Sequence, residues 1–187
     1  MKSPFYFIVK PKGNKRYDST KKIGNINFII STSKEDHKAS NRYAIVVETP
    51  INYNGPVQVG DTLLVHHNVF KYYNDMKGVE RSGKSFFKDD LFFIDNDQFF
   101  LYKHNNVWNA HSKYCMIKPI KKEQTYLKSH ENEEPLMGLV KYPNKYLISK
   151  GVNKGDKVSF KPNSEYEFNV DGEKLYRMFD HQVTLLL

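Results

Sequence analysis

One short stretch of the sequence has the spacing of a phosphate-binding loop. The residues GVERSGKS, at positions 78–85, fit the pattern G-x-x-x-x-G-K-[ST] in every place. A working loop of this kind leaves a buried strand and enters a helix whose N-terminal amides hold the phosphates. Here the polar stretch FKYYNDMK comes before Gly78, and FFKDDLFFIDNDQFF, a pattern of strands and turns, follows Ser85. The surroundings favour a polar loop between two strands over a nucleotide site.

The histidines and the single cysteine do not have the spacing of a metal centre or of a nucleophile. His66 and His67 are neighbours in a predicted strand, so we expect their side chains on opposite faces. Cys115 stands alone, which excludes an internal disulfide and a CxxC zinc ribbon. It precedes Met116 and Ile117, as expected of a core residue. We therefore predict no catalytic residue, no metal site and no cofactor: the protein is expected not to be an enzyme.

The composition is that of a folded, strand-rich protein. The chain has 187 residues, of which 39% are hydrophobic and 14% aromatic, while alanine, the best helix former, is scarce. The net charge is +8, but the basic residues are scattered, which favours a solvated surface over a nucleic-acid footprint. The N-terminal apolar run is only five residues long, too short for a signal sequence or a membrane span. We expect a cytoplasmic protein, or one in the host cytoplasm if it is viral.

Short apolar segments separated by turn residues recur along the chain, and no window of twelve or more keeps a 3.6-residue period. This pattern predicts an all-β sandwich or barrel. The polar segment HNNVWNAHS, at 104–112, is the expected junction between two domains, which we place at 1–106 and 107–187.

Four sequence blocks occur twice, in the same order, which predicts two copies of one small β-domain. The pairs are FIVKP ending at Pro11 with CMIKP ending at Pro119, YAIVVETP (43–50) with LMGLVKYP (136–143), VQVGDTLLVHHN (57–68) with VNKGDKVSFKPN (152–163), and LFFIDNDQFFL (91–101) with LYRMFDHQVTL (175–185). Within the third pair, Gly60-Asp61 and Gly155-Asp156 are expected to form tight structural turns, because Gly allows positive φ and Asp can accept from nearby amides. Neither Asp has an acid or base partner within reach in the sequence.

The ordered blocks resemble the GroES-type co-chaperonin (10-kilodalton chaperonin) family. The residues that carry the resemblance are Ile8, Val9, Gly60, Asp61, Leu63, Val65, Leu91 and Ile94 in the first half and Gly155, Asp156, Val158, Phe160, Tyr166, Gly172, Glu173, Leu175, Met178 and Leu185 in the second. The resemblance implies two tandem small GroES-like β-barrels, similar in plan to the fused double co-chaperonin of plastids. It also implies a ring-type homo-oligomer that caps a GroEL-type chaperonin and assists protein folding.

In that family a long loop between the first two strands carries an apolar tripeptide to the chaperonin. The region 12–41 occupies this place and contains one apolar segment, INFII, at 26–30. By position, Ile26, Phe28, Ile29 and Ile30 form the chaperonin-binding residues, although the family has Gly-Gly before an aliphatic triple. The alternative is that 25–31 is one more strand of the barrel. The matching loop of the second half, at 120–135, has only Tyr126-Leu127 as an apolar pair and is not expected to bind.

Two other functions stay open at this point. The same fold could serve a structural or assembly protein, for example a viral ring component, that does not bind a chaperonin. The chain could also bind single-stranded nucleic acid, because basic and aromatic residues alternate in FKYY and in the Phe pairs. We expect instead that Phe92, Ile94, Phe99 and Leu101 lie in the core or at a subunit interface.

Overall fold

The computed structural model describes residues 1–17, 20–23, 26–29, 40–122 and 133–187; for 20–23 and 26–29 it describes the backbone only. The chain divides into two compact units, Met1–Val107 (unit 1) and Trp108–Leu187 (unit 2), and the division falls within the polar segment 104–112. Most regular structure is β-strand, which confirms the predicted all-β class. No helix of the described part is long and apolar enough to cross a membrane.

Unit 1 is built from short strands. They are β1 Phe7–Pro11, β2 Thr20–Ile23, β3 Ile26–Ile29, β4 Tyr43–Glu48, β5 Thr62–Val65, β6 Tyr72–Asn74, β7 Glu80–Ser82, β8 Phe86–Lys88, β9 Leu91–Ile94, β10 Phe99–His104 and β11 Val107–Ala110, the last of which crosses into unit 2. The main sheet has the order β11-β10-β5-β4-β1-β9-β8, and β2-β3 and β6-β7 form ribbons of their own. Its core is aromatic and β-branched, with Phe7, Phe70 and Phe92 among the fully buried side chains.

Among its described residues, unit 2 contains one short α-helix and one 3-10 turn, Asp180–Gln182, beside its strands. The elements are β12 Tyr114–Lys121, β13 Glu133–Tyr142, α1 Lys145–Ser149, β14 Lys157–Phe160, β15 Tyr166–Val170, β16 Glu173–Phe179 and β17 Val183–Leu186. The sheet has the order β15-β16-β12-β13-β14-β17. Asn144 caps the helix, since its side-chain oxygen accepts from the amide of Leu147 at 2.8 Å. The core includes Cys115, Ile117, Val158 and Met178.

The two main sheets follow one plan. The order β10-β5-β4-β1-β9-β8 in unit 1 corresponds strand by strand to β17-β14-β13-β12-β16-β15 in unit 2. The registers match as well: Val9 lies opposite Val46 and Ile117 opposite Val140, with an irregularity directly before Val9 and before Ile117. Over the described residues neither sheet closes into a barrel, so the observed architecture is two open antiparallel sheets of the same topology.

The registers correct one detail of the predicted repeat. Ala44 faces Pro11 and Gly138 faces Pro119, so Ala44 corresponds to Gly138. The alignment of YAIVVETP with LMGLVKYP pairs Ala44 with Met137 instead, one residue away, because both blocks end in proline. Unit 1 has an extra residue, Thr49, between the strand and that proline. A slip of one residue would exchange the two faces of a strand, so this detail decides which side chains are buried.

Candidate partner-binding site

The predicted binding residues lie in the long connection between β1 and β4 of unit 1, residues 12–42, which we call the excursion. Ile26, Phe28 and Ile29 are in β3, which pairs antiparallel with β2 so that Phe28 is opposite Lys21. The segment is thus a strand, but in a ribbon separate from the main sheet. Ile30 lies outside the described residues. The side-chain environment of the other three lies outside the description too, so the binding assignment stays a prediction.

The base of this excursion is closed by hydrogen bonds between its two arms, residues 12–17 and 40–43, which we call the neck. The Asn41 side-chain amide donates to the carbonyl oxygens of Lys12 at 2.9 Å and Lys15 at 2.7 Å. The Asn41 backbone amide donates to the carbonyl of Arg16 at 2.8 Å. Tyr17 and Ser40 form an isolated antiparallel bridge. One asparagine therefore links the two arms where the excursion leaves the unit.

Arg16 attaches the neck to the rest of unit 1. Its guanidinium carbon lies 4.3 Å from the ring centroid of Tyr72, 4.8 Å from that of Phe86 and 4.7 Å from that of Phe92. Its Nη1 donates to Ser82 Oγ at 2.9 Å. A cation over aromatic faces is attracted by the ring quadrupoles, and the effect is larger where water is partly excluded. The arginine thus joins the neck to the β6-β7 ribbon and to β9.

Tyr17 makes a second attachment to the same ribbon. Its hydroxyl oxygen accepts from the Tyr72 backbone amide at 3.1 Å, and the two rings stack with centroids 6.0 Å apart. Burial raises the pKa of Tyr17 despite this hydrogen bond, so the side chain is neutral at physiological pH. No local signal in the sequence indicates this contact, because 55 residues separate Tyr17 from Tyr72.

Unit 2 has an excursion at the same place, between β12 and β13, with different chemistry at its base. Lys121 lies opposite Glu133. The Glu133 carboxylate accepts from Lys174 Nζ at 2.9 Å and from the Tyr176 hydroxyl. Burial alone would raise the pKa of Glu133, but these two hydrogen bonds outweigh it and the pKa is lowered. Residues 123–132, which include the Tyr126-Leu127 pair, lie outside the described part.

The Gly-Asp turn of unit 1 has the features expected of a structural turn. Gly60 has a φ of 93°, in the left-handed region that favours glycine. Its amide donates to the carbonyl of Val46 at 2.8 Å, and Asp61 Oδ2 accepts from the Gln58 amide at 2.8 Å. The carboxylate thus holds the turn that leads into β5.

The turn of unit 2 repeats this geometry bond by bond. Gly155 has a φ of 95°, and its amide donates to the carbonyl of Val140 at 2.8 Å. Asp156 Oδ2 accepts from the Asn153 amide at 2.7 Å. The same hydrogen bonds in both units give the repeated Gly-Asp pair a local structural cause.

Asp61 has one partner that sequence reasoning missed. His104 Nδ1 lies 2.8 Å from Asp61 Oδ1, and the Asp61 side chain is almost fully buried. The expectation that neither Asp has an acid or base partner holds only for neighbours in sequence, since His104 is 43 residues away. The register of β5 with β10, which sets Thr62 opposite Lys103, brings the pair together.

The prediction for the adjacent histidines is wrong. β5 ends at Val65, so His66 and His67 follow the strand instead of continuing its alternation. Their ring centroids are 4.1 Å apart, which places both imidazoles on one side. His66 Nδ1 accepts from the Asn68 amide at 3.2 Å, a local turn contact. Within the described residues no group of three or more His, Cys, Asp or Glu could hold a metal ion.

Cys115 is a core residue, as predicted. It is fully buried, and burial raises its pKa to about 12, so the thiol is protonated at neutral pH. Its Sγ donates to the carbonyl of Met178 at 3.7 Å. A buried, protonated thiol is a poor nucleophile.

The segment 78–85 folds as turn and strand. Gly78 has a φ of 75° in the turn between β6 and β7, and β7 then covers Glu80–Ser82. The next element after Ser85 is the strand β8, where a phosphate-binding loop would need the start of a helix. The prediction of a single polar loop between two strands is therefore only partly right, because strand β7 lies inside the segment and only the residues on either side of it are loop and turn.

The aromatic pairs of the second half of unit 1 are largely internal. Phe92, Ile94, Phe99 and Leu101 are fully buried, which confirms the expectation that they lie in the core. Rings in that position cannot stack on bases. Phe87 and Phe93, with centroids 4.7 Å apart, lie closer to solvent.

At the base of the excursions the described groups are amides, aromatic rings and paired charges. No protein-family model and no curated protein matches the chain.

Proposed function

We propose that this chain is a co-chaperonin-like protein, not an enzyme, that assembles into a ring-type homo-oligomer in the cytoplasm and caps a GroEL-type chaperonin. In this proposal each unit corresponds to one GroES-like barrel, and the segment 26–30 contacts the chaperonin. The observation that carries the proposal is the repeated strand plan, in which a long excursion leaves each unit between its first two core strands.

The excursion of unit 1 has properties that suit binding by a partner's groove. Its one apolar segment, INFII, is set in a polar region rich in Lys, Ser and Asn. Such a segment gains free energy by burying apolar area in a groove, against the entropy cost of ordering its flanks. The neck at 12–17 and 40–43 lowers that cost, because both arms are already joined by Asn41.

Exposed apolar residues on an edge strand support assembly. β17 is an edge strand of unit 2, and Leu185 and Leu186 on it are 60% and 55% exposed. In unit 1, Phe5, shortly before β1, is 78% exposed. An apolar edge strand is open to pairing with another chain, and proteins generally cover such edges. The corresponding strand of unit 1, β10, has β11 along its outer side.

The capping proposal is tested by retention of the protein on an immobilised GroEL-type chaperonin in the presence of ATP. We expect the wild type to be retained and Phe28→Asp to be lost, because a carboxylate would have to enter an apolar groove. Ile51→Asp is the matched control, since Ile51 is also an apolar residue of unit 1 and is 49% exposed. Absence of wild-type retention, or equal loss with both variants, would contradict the proposal.

The assembly proposal is tested by light scattering after size-exclusion chromatography. We expect Leu186→Lys to reduce the wild-type oligomer to a smaller species, because a charge on the edge strand opposes pairing. Ile148→Lys on α1, a position that is 50% exposed, is the control that adds the same charge elsewhere in unit 2. A wild-type protein that elutes as a monomer would contradict the assembly proposal.

The exposed edge strand also favours a second candidate, a structural or assembly protein that forms the same oligomer without a chaperonin. Ring-shaped particles in negative-stain images of the protein alone, together with no retention on the chaperonin, would select this candidate. Binding of single-stranded nucleic acid has less support, because the rings of Phe92 and Phe99 are buried. A salt-dependent mobility shift of a labelled single-stranded oligonucleotide on addition of the protein would support nucleic-acid binding.

A further inference from the structure

The neck of unit 1 makes more contacts than closing a loop requires. Asn41 already bonds the two arms to each other. Arg16 and Tyr17, the last residues before the segment 18–39, make a separate set of contacts to the β6-β7 ribbon. Arg16 and Tyr17 therefore join the first arm of the neck to the body of the unit, in addition to the bonds that Asn41 makes between the two arms.

The contacts of Arg16 and Tyr17 are directional. The flat guanidinium lies over three rings while Nη1 bonds Ser82 Oγ, a combination that the point charge of a lysine cannot reproduce. Tyr17 combines a stacked ring with a hydrogen bond to the backbone of Tyr72. Because a hydrogen bond is directional, it fixes the orientation of the Tyr17 side chain together with the ring stacking.

We infer that Arg16 and Tyr17 are positioning residues, which set the direction in which the binding excursion leaves unit 1 and so lower the entropy cost of partner binding. The inference rests on the proposed function. The β6-β7 ribbon is the support for these residues. It occurs in unit 1, whereas in unit 2 the residues 161–165 join the corresponding strands β14 and β15 directly. The unit that has the ribbon is the one whose excursion carries the INFII segment.

The first test measures the free protein, without a chaperonin. A spin label on Ser19→Cys reports motion directly beyond the neck, and Cys115 does not compete for the label because it is fully buried. We expect Arg16→Ala to increase the mobility of the label, with a smaller increase for Arg16→Lys and for Tyr17→Phe. Arg81→Ala is the matched control: Arg81 lies on the same ribbon but pairs with Asp75 at 3.2 Å and is 59% exposed, so the label should not respond.

The second test measures affinity for the chaperonin in the presence of ATP. We expect Arg16→Ala to bind about fivefold to tenfold more weakly, the size of effect that loss of one pre-organising contact gives, and Arg81→Ala to bind as the wild type does. Unchanged label mobility in Arg16→Ala, or equal changes in Arg16→Ala and Arg81→Ala, would overturn the inference. If Arg16→Ala does not fold, Tyr17→Phe, which loses a single hydroxyl, goes through the same two measurements. If the wild type does not bind the chaperonin, the proposed function fails, and the label alone still decides the role of the neck.

Discussion

The excursions of the two units are held at equivalent positions of their sheets by different chemistry. In unit 1 the guanidinium of Arg16 covers the ring of Phe92 on β9. In unit 2 the carboxylate of Glu133 accepts from the hydroxyl of Tyr176 on β16. Phe92 lies opposite Val9 and Tyr176 opposite Ile117, so the two aromatic residues occupy equivalent places. The repeated strand register thus fixes the position of the aromatic residue that contacts the base of each excursion. The side chains determine whether that contact is a cation–π interaction or a hydrogen bond.

The connections between equivalent strands differ more than the strands themselves. Unit 1 places the β6-β7 ribbon between β5 and β8, and unit 2 places the helix α1 between β13 and β14. The ribbon holds the neck of unit 1 through Arg16 and Tyr17. Each unit therefore adds different elements to a sheet of the same topology. For this reason we expect the two excursions to differ in function.

The largest expected difference between the units is the loss of stability when the equivalent aromatic residues, Phe92 and Tyr176, are replaced by alanine. Phe92 is fully buried against Phe70 and Phe86, with ring centroids 4.8 Å and 5.6 Å away. We expect Phe92→Ala to lower the free energy of unfolding of unit 1 by about 3–5 kcal/mol. Tyr176→Ala should cost unit 2 less, because Tyr176 is only partly buried. Hydrogen exchange with mass spectrometry of the full chain reads the two units separately, and equal losses would contradict the comparison.

A second difference concerns Ala44 and its counterpart Gly138. A Cβ added at Gly138 would lie 2.3 Å from Ile117 Cγ2 and 2.8 Å from the carbonyl oxygen of Lys118. We expect Gly138→Ala to destabilise unit 2 by about 1–3 kcal/mol, since the neighbouring strand must move. Ala44→Gly, the reverse exchange in unit 1, should cost about 1–2 kcal/mol, from the added backbone entropy of the unfolded chain and the loss of a buried methyl group. Thermal melts of both variants check this, and a Gly138→Ala protein as stable as the wild type would show that the neighbouring strand accommodates the added Cβ without cost.

The smallest expected effect is the pH dependence that Glu133 gives to the stability of unit 2. The pKa of Glu133 is lowered from its ordinary value of 4.5, because the hydrogen bonds from Tyr176 and Lys174 outweigh the effect of burial. The carboxylate therefore contributes stability that is fully present above pH 4.5 and is lost as the pH falls through the lowered pKa of the folded protein. We expect Glu133→Gln to reduce the free energy of unfolding by about 1 kcal/mol at pH 7.

The difference between Glu133→Gln and the wild type should disappear once the wild-type carboxylate is protonated. Denaturant unfolding at pH 7 and at successively lower pH measures it. The control is Glu134→Gln, which makes the same change at the neighbouring partly buried glutamate of β13. A difference that persists at the lowest pH would show that Glu133 stabilises unit 2 by its shape and not by its charge.

The strand class, the repeat and the Gly-Asp turns could be predicted from the sequence because they depend on local signals. Alternating apolar residues indicate strands, and a glycine followed by Asp61 or Asp156 indicates a tight turn. The paired strands then agree with the repeated blocks except for the one-residue shift at Ala44, where two prolines are matched across unequal connections.

The long-range side-chain contacts, those of the neck among them, could not be predicted in this way. Arg16 meets Ser82 across 66 residues of chain, and Asp61 meets His104 across 43. Such pairs depend on the register of strands that are not neighbours in sequence, and no spacing rule reveals them. The prediction that His66 and His67 point to opposite faces failed because it assumed that both lie in a strand. β5 ends at Val65, and residue type alone did not indicate that end.

The most direct test of the proposed function is the native mass of the full chain, alone and with a GroEL-type chaperonin and ATP. We expect a multiple of the 22.0 kDa chain mass for the protein alone, and a complex that contains both proteins when the chaperonin is present. A 22.0 kDa monomer under both conditions would contradict it.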